Sequence, residues 1–87
     1  MLLVVQWSFE PENRDAANAR FKETGAPPPD GVKMLGRWHS AEGGEGVLVC
    51  ECDDAVSLGK WLQEWSDLLS FRVMPVYDDA GAAEVIG

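Results

Sequence analysis

Gly36-Arg37-Trp38-His39 sets a guanidinium, an indole and the chain's one histidine side by side, and Glu51 follows in the next strand-like run. An imidazole suits proton transfer near neutrality, and a carboxylate in a central strand must be paired or neutralised, so His39 and Glu51 are the candidate bases. The plainer readings are a locally hydrogen-bonded surface or interface histidine, and a Glu51 paired with Arg37 or Arg72. Four tryptophans are many for 87 residues. Trp61 and Trp65 read as core on one helical face, or as an aromatic wall for a flat apolar ligand to which Trp7 and Trp38 contribute from the sheet. With Asn13 as a polar orienting group, the candidate pocket lies between the first helix and the sheet, lined by Trp7, Asn13, Trp38, His39, Glu51 and Trp65.

Other chemistries lack their parts. No serine or cysteine nucleophile stands with a base, and no phosphate loop is present. Cys50 and Cys52 alternate with Glu51, which places both thiols on one face of a strand with Cα atoms about 6.5 to 7 Å apart, a poor disulfide geometry. They read as small buried hydrophobes. One histidine and two cysteines make no zinc set. Neither a metal nor a cofactor is expected.

Charge narrows the partners. Fifteen acidic residues against seven basic ones give a net charge of −8, and the basic residues form no run. Nucleic acid and anionic membranes both need clustered positive charge, so neither is expected as a partner. No apolar stretch approaches the roughly 20 residues that span a bilayer, and Met1-Leu2-Leu3-Val4-Val5 lacks the basic flank and cleavage site of a signal peptide. A cytoplasmic protein is expected. At 87 residues it is one domain, small enough for help from a partner subunit to matter.

The positioning elements follow from periodicity. Leu2 to Ser8 reads as a strand, and Pro11 opens a helix to Thr24 whose inward stripe is Asn13, Ala16, Ala17, Arg20, Phe21 and Thr24, stopped by Gly25. Ala26 to Gly31, with its three prolines, is a stiff connector. Strands from Val32 to His39 and Val47 to Cys52 flank a Gly43-Gly44 turn. Asp53-Asp54 caps a helix whose Leu58, Trp61, Leu62, Trp65 and Leu69 share one face. Gly59 within that helix suggests a close approach by another element. Phe71 to Tyr77 is a last strand, placed at an edge by Pro75. The tail from Asp78 forms one amphipathic turn or stays loose.

Strand, helix, strand, strand, helix, strand is the split βαβ unit of the α+β ferredoxin-like fold, a four-stranded antiparallel sheet with two helices on one face. A half-exposed sheet should alternate apolar with polar residues, yet Leu2-Leu3-Val4-Val5 and Val47-Leu48-Val49-Cys50 do not. The uncovered face therefore calls for a partner outside the monomer. A second copy, sheet against sheet, is the simplest one, a homodimer closing into a barrel with its helices outside.

Trp7, Gly36-Arg37-Trp38-His39, Glu51 with Asp53-Asp54, Trp61 with Trp65-Ser66-Asp67, and Pro75-Val76 together resemble the small bacterial domains of unknown function numbered 3303. The resemblance covers nearly the whole chain. It implies a member of the dimeric α+β barrel group, which includes cofactor-independent monooxygenases, haem-degrading enzymes, small isomerases and non-catalytic binding or regulatory domains. Haem-degrading members use an asparagine, a tryptophan and a histidine together; Asn13, Trp65 and His39 are present, but this histidine lies on a strand rather than on the second helix. Two functional classes follow. One is a non-catalytic binding or regulatory dimer for a small, largely apolar molecule, favoured by the thin alanine stripe. The alternative is a cofactor-independent monooxygenase or isomerase using His39 or Glu51 as base.

Overall fold

A computed structural model describes residues 1–87. Strand β1 (Leu2–Ser8) leads through a 3-10 turn (Pro11–Asn13) into helix α1 (Arg14–Thr24), followed by β2 (Val32–His39), β3 (Glu45–Cys52), α2 (Ala55–Gln63), β4 (Ser70–Val76) and α3 (Asp79–Ile86). The sheet is fully antiparallel with the order β2-β3-β1-β4, the ferredoxin-like arrangement. Pro75 sits in the edge strand β4, where its missing N–H leaves no bond unmade.

Register settles which residues share a face, because directly opposed residues point the same way. Leu3 opposes Cys50, Val5 opposes Leu48 and Trp7 opposes Gly46, and all of these face the helices. The buried core is built on this side: Leu3, Val5, Trp7, Val32, Leu48, Cys50, Cys52, Leu58 and Trp61 form one cluster. Cys50 and Cys52 are free and buried there. Burial pushes the Cys50 thiol pKa up, so it stays protonated and behaves as a small hydrophobe.

The opposite face has no cover. Leu2, Val4, Val47 and Val49 on the central strands are only half-buried, and Trp38, Leu35 and Met74 are exposed.

Local chemistry fixes the helix ends. Gly25 adopts the left-handed conformation (φ 73°) that closes α1, its N–H bonding the Phe21 carbonyl. The Asp54 side chain accepts from Val56 N–H at 2.9 Å and from Ser57 Oγ at 2.7 Å, capping α2.

Three elements differ from the sequence reading. Regular α2 stops at Gln63, and residues 64–68 continue as tighter turns, with Trp65 N–H bonding the Leu62 carbonyl and Leu68 N–H the Trp65 carbonyl, each at 3.0 Å. The freed carbonyls are taken by the other helical segment: Arg20 donates to Glu64 O at 2.8 Å and Asn13 to Leu68 O at 3.2 Å. Gly59 has no close neighbour, since a Cβ added there would meet open space. The tail is neither loose nor a single turn but the helix α3, capped by Asp78 accepting from Gly81 N–H, with Val85 and Ile86 exposed to solvent. The radius of gyration of 14.3 Å exceeds the roughly 12 Å of a compact chain of this length, in keeping with this exposed C-terminal helix.

Candidate functional site

A cavity of about 230 Å³ lies between the helices and the covered face of the sheet, lined by 14 residues of which 11 are hydrophobic. Its floor comes from Trp7, Leu48 and Phe71 on three neighbouring strands, with Arg37 and His39 on β2. Its roof comes from Ala17, Asn18 and Phe21 of α1 and from Trp61, Leu62 and Trp65 in and just after α2. The space exists for sequence reasons. α1 turns the small Ala17 inward, and Gly46 presents no side chain where the Trp7 indole lies across it, so that a Cβ at Gly46 would clash with the ring.

Two arginines tie α1 down. Arg20 makes a bidentate pair with Asp67, both bonds 2.8 Å, and stacks 5.3 Å from the Trp65 ring centre. That hydrogen bonding holds the Asp67 carboxyl below its ordinary range. Asp67 is thus a partner of the helix. Arg37 donates to the carbonyls of Ala26 at 2.8 Å and Gly25 at 3.0 Å, binding the C-terminal end of α1, and stacks 5.0 Å from Phe21. Burial lowers the Arg37 pKa.

His39 stands edge-on between two rings, 5.5 Å from Trp7 and 5.2 Å from Phe21, each at 70°. Asn18 and His39 are exposed and mark the mouth of the cavity.

The proposed set of six does not gather in one place. Trp7, His39 and Trp65 line the cavity. Asn13 is used instead as the tie to Leu68. Trp38 opposes Val47 and Glu51 opposes Leu2 and Lys33, all on the open face, with the sheet between them and the cavity. Trp38 cannot share a face with His39, because successive strand residues alternate. Glu51 is excluded in the same way by its flanking cysteines, which face the helices. The Glu51 side chain is half exposed and lies 3.8 Å from the amino group of Met1, so neither burial nor an arginine partner applies. Sequence reading overlooked Arg37 and Phe21 as cavity residues. Their signal was present in the parity of Arg37 with His39 and in the place of Phe21 on the inward stripe of α1.

Among known proteins, no curated sequence matches this chain. A solved Mycobacterium tuberculosis protein, Rv0793, superposes with a TM-score of 0.52 at 20% identity, covering 91% of this chain and 96% of its own. A Deinococcus radiodurans protein provisionally assigned as an antibiotic biosynthesis monooxygenase aligns at 10% identity with a TM-score of 0.48, covering 90% and 94% respectively. At these identities the similarity to Rv0793 is one of fold. The family model described as domain of unknown function, DUF3303, matches residues 1–87, and the chain belongs to that family.

Proposed function

We propose that this protein is a non-catalytic binding or regulatory protein that holds a small, largely apolar molecule in the cavity beneath α1 and α2, and that it works as a homodimer. The carrying observation is the cavity itself, about 230 Å³ with 11 of its 14 lining residues hydrophobic. An apolar cavity of about 150 Å³ accepts benzene, so this one has room for a two-ring molecule. The tryptophans provide a direct test. In a titration with naphthalene followed by NMR, the indole N–H signals of Trp7, Trp61 and Trp65 are expected to shift, while Trp38, on the opposite face, stays still. Movement of all four or of none overturns the reading.

Catalysis has less support. His39 is the one lining side chain able to act as a base, and no carboxylate, thiol or hydroxyl stands in the cavity with it. Oxygen consumption or isomerisation of a bound ligand, lost in His39→Gln, would establish the alternative of a cofactor-independent monooxygenase or isomerase.

The dimer rests on the open face, where Leu2, Val4, Val47, Val49, Met74 and Val76 leave an apolar surface without cover. Covering it with a second copy should bury more than about 1,000 Å² in total. Sedimentation of a monomer at micromolar concentration would refute the dimer and leave the cavity reading intact.

A further inference from the structure

The fold carries two arginines in the same structural job with different charge balance. Arg20 and Arg37 each donate to backbone carbonyls and each lie over an aromatic ring. Arg20 is neutralised by Asp67. Arg37 has no carboxylate partner; the ion pairs of the chain involve Arg14, Arg20 and the terminal amine. Its charge is offset by the Phe21 ring and by the dipoles of the Gly25 and Ala26 carbonyls, which use two of the five N–H donors of a guanidinium.

The composition of the cavity wall points the same way. The chain has 15 acidic residues, yet none is among the 14 that line the cavity. The polar lining residues are Arg37, His39 and Asn18, which can all donate hydrogen bonds. Burial makes the Arg37 charge costlier to hold, a cost that an anion beside it would offset.

We infer that the cavity is built for an apolar ring bearing a carboxylate, with the ring between Trp7, Phe21 and Trp65 and the carboxylate at the Arg37 and His39 end. This rests on the cavity being a ligand site, and it adds the charge of the ligand. The missing counter-ion of Arg37 is then supplied by the occupant, through charge-assisted hydrogen bonds of the kind that Asp67 provides to Arg20.

Three probes of one shape separate the possibilities: 2-naphthoate, naphthalene and 2-naphthylmethylammonium, titrated into the full chain and read at the Trp7, Trp61 and Trp65 indole signals. A net charge of −8 disfavours anions in general, so a preference for naphthoate must arise locally. Naphthoate is expected to bind about tenfold or more tighter than naphthalene, and the cation more weakly than either. Arg37→Met should abolish the preference while retaining naphthalene binding. Should that variant lose its fold, Asn18→Asp, a change at an exposed position of the mouth, should selectively weaken naphthoate. Equal binding of naphthoate and naphthalene overturns the inference and leaves the binding reading standing. A preference unaffected by Asn18→Asp and by a folded Arg37→Met also overturns it. Failure of all three probes to bind removes the binding reading and this inference together.

Discussion

On the helix-covered face of the sheet the indole of Trp7 lies across Gly46, its antiparallel partner; on the open face the indole of Trp38 lies across Gly36, two residues back along its own strand. In both places the glycine supplies a flat site against which a ring can rest. The outcomes diverge because one face has α1 and α2 above it and the other has none: Trp7 is 9% exposed and Trp38 58%. The same pairing thus makes a cavity floor on one side and a bare platform on the other. An aromatic residue over a glycine does not by itself mark a site; what covers the pair decides its role.

The sharpest way to break this contrast is truncation. Trp61, 5% exposed above the covered face, should cost about 3 to 5 kcal/mol as Trp61→Ala, most of the stability of a domain this size. Trp38→Ala should cost less than about 0.5 kcal/mol under dilute, monomeric conditions. Denaturant unfolding measures both, and similar losses would mean that the faces are not distinct. At higher concentration Trp38→Ala should weaken self-association, visible as a lost concentration dependence of the melting temperature.

Adding a methyl group to each glycine sharpens the comparison. Gly46→Ala pushes against an indole held between sheet and helices, and should destabilise by about 1 to 3 kcal/mol while moving the floor of the cavity. Gly36→Ala meets a ring free to swing into solvent, so a loss of under about 1 kcal/mol is expected. Equal losses in thermal unfolding would show that Trp38 is as confined as Trp7.

Gly59→Ala runs in the opposite direction. With open space at its Cβ position and a helical backbone, the substitution should stabilise by about 0.5 to 1 kcal/mol, and a destabilised variant would reveal a contact absent from the monomer. The smallest effect belongs to the exposed Arg20–Asp67 pair. Because the Asp67 pKa is lower when folded than its ordinary 3.8, the pair's contribution is present above that value and is lost as pH falls through the folded pKa. Asp67→Asn should therefore lower stability slightly near neutrality and flatten the acid limb below about pH 4, so that the two proteins converge in acid.

The order from β1 to β4, the shared face of Cys50 and Cys52 and the edge strand at Pro75 were all legible from local patterns, since strand alternation and helical spacing are short-range. The sixfold pocket was not. Grouping Trp38 with His39 and Glu51 with the helix-side residues overlooked the same alternation that correctly placed Cys50 and Cys52 together. A pairing of Arg37 with Glu51 fails on the same alternation, since Arg37 binds the end of α1 on the other face of the sheet.

What the sequence alone determined is therefore the order of the four strands and the two helices between them, and the excess of apolar residues on the central strands, because each follows from neighbours within a few positions. Only the tertiary structure decided which residues of β2 meet the cavity. Its pairing with β3 jumps from Met34↔Cys50 to Gly36↔Val49, so Leu35 is an extra, unpaired residue. Without that bulge, Val32, Met34, Gly36 and Trp38 would share a face. With it, Arg37 and His39 join Val32 and Met34 on the helix side while Gly36 and Trp38 turn to the open side. A single inserted residue inverts every side chain beyond it, and the inversion depends on the partner strand rather than on β2 itself.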